Sequence, residues 1–209
     1  MGRAHFCDPD GCCIRHELLQ WLLMPSPVGH ALAGVAAAWL SGGRLPRGVH
    51  GTVFRPFSRR TPTPSLDVTG PTMEIVLFGA AAIAPDLDLL FGAHSTCTHS
   101  IGAVIIVFAL TIAVAGVRQW HIALGVAAAW GSHILLDWFG TDTSPPIGVM
   151  ALWPFDSGYY QSSLSIFDAI SRRYWLPNQF IYGNLRAAVK EVVILAPLLA
   201  CALYLRRKR

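Results

Sequence analysis

Charge is what this sequence has least of. Acidic and basic residues together make up 13% of its 209 residues, about half the ~25% share usual in a soluble domain. A water-exposed surface over the whole chain is thereby excluded. A disulfide framework is missing as well: the five cysteines, at 7, 12, 13, 97 and 201, form no paired pattern. Cys7, Cys12 and Cys13, beside His5, Asp8 and Asp10, match no standard zinc module. There is no internal repeat and no RNA- or DNA-reading motif, so the net charge of +4 does not indicate nucleic acid. Its basic residues sit beside apolar blocks, as the positive-inside rule expects. No secretory signal peptide is expected either, because Arg15-His16-Glu17 precedes only a short apolar patch with no small-residue cleavage site after it.

Apolar residues, at 53% with a mean hydropathy of +0.46, are abundant and gathered into blocks. The fold class expected is all-α: an integral membrane bundle of about four to five transmembrane helices. The first block opens at Pro25-Ser26-Pro27, where Ser26 can cap and Pro27 suits the first turn, and runs to about Leu40. That is short for a span of ~20 residues, so it is a tilted short span, a re-entrant helix, or one lengthened by the apolar residues 18–23. Residues 42–72, with Gly42-Gly43, five arginines and five prolines, read as a flexible basic loop. Further blocks cover residues 73–92, 101–117, 120–139 and 185–205, with a tight turn at Arg118-Gln119. Residues 140–184 form a long interfacial connection rich in Pro, Gly and aromatics, in which 165–174 are expected to make a short helix. Arg206-Arg207-Lys208-Arg209 is a basic tail.

The 42–72 loop, Arg118 and residues 206–209 hold ten of the sixteen basic residues. Alternating blocks put all three on one side, which the positive-inside rule makes cytoplasmic. The same alternation sends His30, Asp86, Asp88, His94, His99, His133, Asp137 and Glu191 to the opposite, extracytoplasmic face. Ionisable groups near hydrocarbon are costly and usually mark function. Single members of the set could be helix caps facing water; eight at one face are better explained as a site.

His133 and Asp137, four residues apart, stack on one helix face and can bind one metal, or act as ligand and orienting partner. Asp86 and Asp88 cannot share a helical face; either Pro85 kinks the chain so that both reach the site, or one binds metal and the other orients a histidine. Mixed imidazole and carboxylate ligands suit a divalent metal, zinc first, with manganese or iron as alternatives. Eight candidates exceed one tetrahedral ion, leaving two ions, or one ion plus an acid/base group. Either lowers the pKa of water, so hydrolysis is the expected reaction class, with Asp88 and His99 as the proton-handling candidates. His5, His16, His50 and His121 are read as loop or interfacial residues, Cys97 as at most an extra ligand, and Trp153-Pro154-Phe155 as an interfacial anchor or lid.

The ordered set Met24-Pro25 with His30, Pro85-Asp86-Leu87-Asp88, His94 with Thr98-His99-Ser100, His133-x-x-x-Asp137 and Trp153-Pro154-Phe155 resembles the inner-membrane-associated, LexA-binding, metal-dependent hydrolase family (YdjM-like). The resemblance spans about residues 24–205 and implies a membrane-bound metal-dependent hydrolase of undefined substrate. Its implied functional positions are His30, Asp86, Asp88, His94, His99, His133 and Asp137, then Glu191. Family members often carry arginine where this chain has Ser95, and they tend to begin near the Met-Pro dipeptide, which makes residues 1–23 an extension. The His-x-x-x-Asp pair in a helical setting is also similar to the zinc phospholipase C and P1-nuclease group, which implies a phosphoester. The leading expectation is a multi-pass inner-membrane hydrolase acting on a lipid or phosphoester through a metal-activated water, with membrane lipids as partners, no nucleic acid and no identifiable protein partner. A non-catalytic metal carrier or sensor, and an adaptor working through the arginine-rich loop, are the alternatives.

Overall fold

The helix ends are set by residues whose local chemistry leaves little choice. The computed structural model describes residues 25–45, 71–91, 95–142, 146–171 and 175–208. Among them are five α-helices and no strand: α1 Pro27–Leu40, α2 Pro71–Ile83, α3 Ile101–Ala115, α4 Trp120–Trp138 and α5 Asn184–Lys208. Ser26 caps α1, its hydroxyl accepting from the Gly29 N–H at 3.1 Å, with Pro27 in the first turn. At the other end, Gly42 (φ +93°) and Gly43 donate to the carbonyls of Trp39 and Ala38, the paired bonds of a Schellman motif. α2 tightens at Ala84 into a 3-10 helix, Ala84–Phe91, where Pro85 supplies no N–H. Ser100 caps α3, and a 3-10 turn, Val117–Gln119, joins α3 to α4.

The helices alternate in direction. Glu74, in the first turn of α2, meets Trp39 at the end of α1 and Arg206 in the last turn of α5. At the opposite end, Glu191 near the start of α5 meets Ser26 at the start of α1. Small residues let these helices approach closely: Ala33, Gly34, Ala36 and Ala38 of α1, Gly79 and Ala82 of α2, and Ala123, Gly125, Ala127 and Ala129 of α4 are buried. A Cβ added at Gly34 would stand 2.2 Å from the Ala82 Cβ and 3.1 Å from the Phe78 carbonyl oxygen. Gly34→Ala is therefore expected to force α1 and α2 apart, lowering stability by about 1–3 kcal/mol, read as an earlier thermal unfolding transition in detergent.

The distribution of polarity is inverted relative to a water-soluble protein. The largest fully buried side chains include His30, His99, His133, Glu191 and Asp137. Ile105, Ile106, Leu110 and Val114 of α3, and Leu185, Val189, Val193 and Leu198 of α5, are exposed. A surface so apolar around a polar interior suits lipid.

One helical segment, Phe180–Lys208, is by itself long and apolar enough to cross a membrane. It joins a π-helical turn, Gln179–Gly183, to α5. Pro27–Leu40 and Ile101–Ala115 are apolar but shorter, at roughly 21 and 22 Å against a ~30 Å hydrocarbon core. Five helices are thus found, but among the described residues only one segment is both long and apolar enough to cross a membrane by itself, so the four to five expected spans are not matched one for one.

The helix expected at 165–174 is not formed in its described part, residues 165–171. There the N–H groups of Ile166 and Phe167 donate to the Phe139 carbonyl, and Thr141 N–H donates to the Phe167 carbonyl, which takes this backbone into pairing with the chain after α4. The connection also closes the start of α3, where Ile101 and Gly102 N–H groups donate to the carbonyls of Ala151 and Trp153. The expectations for residues 1–23, most of the 42–72 loop, and His94 lie outside the described residues.

Candidate metal centre

Asp86, His99, His133 and Asp137 each bring one ligand atom to a common point, with all four atoms within 4.8 Å of one another. His133 Nε2 lies 3.0 Å from His99 Nε2, 3.0 Å from Asp137 Oδ2 and 3.4 Å from Asp86 Oδ1. His99 Nε2 lies 3.4 Å from Asp137 Oδ2 and 3.6 Å from Asp86 Oδ1. Four ligands at ~2.1 Å from a tetrahedral ion stand ~3.4 Å apart. Five of the six edges of this cage thus match a metal-sized tetrahedron.

The tautomers follow from the partners. His133 Nδ1 is 2.6 Å from the carbonyl oxygen of Ala82, which can only accept, so Nδ1 carries the proton and Nε2 presents a lone pair to the cage. That carbonyl is free to accept because, in the 3-10 register that follows, the residue three positions on is Pro85. On the second histidine, Thr98 Oγ1 donates its one proton to Asp88 Oδ2 at 2.7 Å and lies 3.0 Å from His99 Nδ1. Thr98 can therefore only accept from the His99 Nδ1–H, and Asp88 Oδ2 stands 3.3 Å from the same nitrogen. Both Nε2 atoms are left as ligands by partners on the far side of the rings, the usual way a protein orients metal-binding histidines.

Electron-rich atoms so arranged call for a cation. Asp86 Oδ1 and both Asp137 oxygens are buried without a hydrogen-bond partner among the described residues, an arrangement that costs stability unless a positive charge lies between them. Burial opposes charge on His99, yet the neighbouring carboxylates of Asp86, Asp88 and Asp137 outweigh it and hold the imidazole above its ordinary range. The donor set of two imidazoles and two carboxylates therefore fits a divalent metal.

The other sequence candidates divide. Asp88 reaches the site from behind His99 and orients it; Asp86 enters the cage. This is the second of the two arrangements that the i, i+2 spacing left open. His30 is wholly buried beside the cage, its ring stacked on that of His133 with centroids 3.9 Å apart. Glu191 is not in the cage: its carboxylate accepts from the Ser26 N–H at 2.8 Å and from the Ser26 hydroxyl, fixing the start of α1 four residues before His30. Sequence reasoning did not give Thr98 or the Ala82 carbonyl a role. For Thr98 a signal existed, since a hydroxyl directly preceding a candidate ligand histidine is well placed to orient it. For Ala82 there was none, because a backbone carbonyl carries no side-chain signature. Thr98→Val removes one acceptor of the His99 Nδ1–H and the hydroxyl that positions the other, Asp88, and metal affinity is expected to fall by about 10–100-fold, measured by chelator competition.

A family model described as YdjM inner membrane protein matches residues 24–209. No curated protein and no solved structure gives a match.

Proposed function

The chain belongs to the YdjM inner membrane protein family, and from that premise we propose that it is a multi-pass membrane hydrolase. In this reading Asp86, His99, His133 and Asp137 hold a divalent ion, zinc first, and the substrate is a lipid or another phosphoester. The observation that carries the reading is the tetrahedral cage itself, whose two histidines are fixed with their Nε2 lone pairs inward. A divalent ion held there supplies Lewis acidity and lowers the pKa of a coordinated water.

The chain's own groups supply the rest. Ala82 and the Thr98–Asp88 pair keep the imidazoles in the ligand tautomer. Asp86, 20% exposed on its side chain and the one partly accessible member of the cage, marks the side from which a substrate oxygen enters. Residues 146–171 pack at this end of the bundle, bonded to the start of α3 and the end of α4. The exposed apolar faces of α3 and α5 support a lipid surround for the helices. The helix ends bearing Asp86, His133 and Asp137 are opposite those bearing Arg206, which under the positive-inside rule supports an extracytoplasmic site.

A metal carrier would need a polar path to the other end. Among the described residues an apolar cluster of Val35, Ala36, Ala38, Trp39, Phe78, Ala129 and Ala202 packs toward that end, beside the largely buried Glu74–Arg206 pair, and this apolar packing favours the enzyme. The test is metal analysis of detergent-purified full-length protein, followed by a screen of phospholipids and generic phosphodiesters. Bound divalent metal with metal-dependent release of product is expected. Metal-free protein at neutral pH would sink the reading, and metal uptake into proteoliposomes without any hydrolysis would replace it with a carrier.

A further inference from the structure

Asp137 has two carboxylate oxygens, and the cage uses one. Oδ2 faces His133 and His99, whereas Oδ1 faces His30 Nε2 at 3.3 Å. Both nitrogens of His30 and Oδ1 of Asp137 are buried, and none has a hydrogen-bond partner among the described residues. His30 Nε2 and Oδ1 are thus close neighbours at 3.3 Å that do not form an aligned hydrogen bond. Two ligands of one ion converge in just this manner, side by side and ~3.4 Å apart, with their lone pairs aimed at a third point. A histidine merely packed in the core would turn at least one nitrogen to a partner.

We propose that Asp137 is a bridging carboxylate, and that His30 Nε2 and Asp137 Oδ1 are protein ligands of a second divalent ion beside the one in the cage. The inference rests on the cage holding the first ion. The stacked rings of His30 and His133 reach the two oxygens of the same carboxylate, which sets the two ions on either arm of one bridge. Paired ions of this kind lie ~3.5–4 Å apart and together clamp the attacking and leaving oxygens of a phosphoester. With two protein ligands against four, the second ion is the more weakly held and is the first to be removed by chelator. Water and a substrate oxygen complete its shell.

The full-length protein in detergent, titrated with manganese and kept in equilibrium with saturating free metal, provides the test through counting of bound metal by equilibrium dialysis and electron paramagnetic resonance. The wild type is expected to hold two ions per chain with the spectrum of an exchange-coupled pair. His30→Gln should hold one ion per chain and give the spectrum of an isolated ion. Wild-type protein that saturates at one uncoupled ion overturns the second site and leaves the cage intact; so does a His30→Gln variant that retains the coupled pair. Wild-type protein without bound metal overturns both the second site and the cage. The wild-type count decides the matter even if His30→Gln does not fold.

Discussion

His133→Ala is expected to abolish metal binding and with it all metal-dependent hydrolysis. His133 Nε2 is the atom on which the cage closes, lying 3.0–3.4 Å from the other three ligands. Without it, one imidazole and two carboxylates remain around a widened space, and the Ala82 carbonyl loses its donor. Removing a partner that only orients a ligand typically lowers metal affinity about 10–100-fold, and removing the ligand itself should exceed that. Elemental analysis of the purified variant should find background metal, while circular dichroism still reports helix, because small-residue packing elsewhere in the bundle is untouched. Thr98→Val sets the scale from the other direction: weakened binding, with full occupancy restored at higher metal concentration. If His133→Ala keeps its metal, the ion is held elsewhere and the tetrahedral reading is wrong.

The parts of this site that could be read from sequence are those fixed by local geometry. His133 and Asp137 share a face because a helix turns every 3.6 residues, and because positions two apart diverge, Asp86 and Asp88 either need a kink at Pro85 or take different tasks. Ser26 and Pro27 mark the start of α1 by capping chemistry alone. Charge patterning gathered the ligand-bearing helix ends together, and the structure brings them to one end of the bundle. What sequence could not decide is which of the gathered groups meet. Glu191 lies at the same end of the bundle as the cage, but its carboxylate is occupied by Ser26, a contact 165 residues away along the chain. The 165–171 stretch pairs with the backbone of Phe139 and Thr141 instead of forming a helix, because tertiary hydrogen bonding outweighs weak local preference. Glu74 passed unnoticed among apolar residues, and only the folded bundle shows its partners.

Those partners give the second large effect: Glu74→Ala is expected to cost about 3–5 kcal/mol of stability, the range for breaking a buried ion pair. Glu74 Oε2 accepts from Trp39 Nε1 at 2.9 Å and pairs with Arg206 at 2.9 Å, while Oε1 accepts from the Leu45 N–H at 3.1 Å. One carboxylate thus joins the ends of α1, α2 and α5, and the Arg206 guanidinium also lies over the Trp39 ring at 4.9 Å. Truncation leaves the Trp39 and Leu45 donors and the Arg206 charge without their acceptor. Arg206→Ala should cost less, because Glu74 keeps two N–H donors and the side chain removed is already 18% exposed. Thermal unfolding in detergent should therefore rank wild type above Arg206→Ala and Arg206→Ala above Glu74→Ala. Because the clasp stands at the far end of the bundle from the cage, the folded fraction of Glu74→Ala should bind metal as the wild type does. Equal unfolding temperatures for Glu74→Ala and wild type would show the clasp to be energetically neutral. Loss of metal from folded Glu74→Ala would show that the two ends are coupled through α2, whose Ala82 carbonyl orients His133.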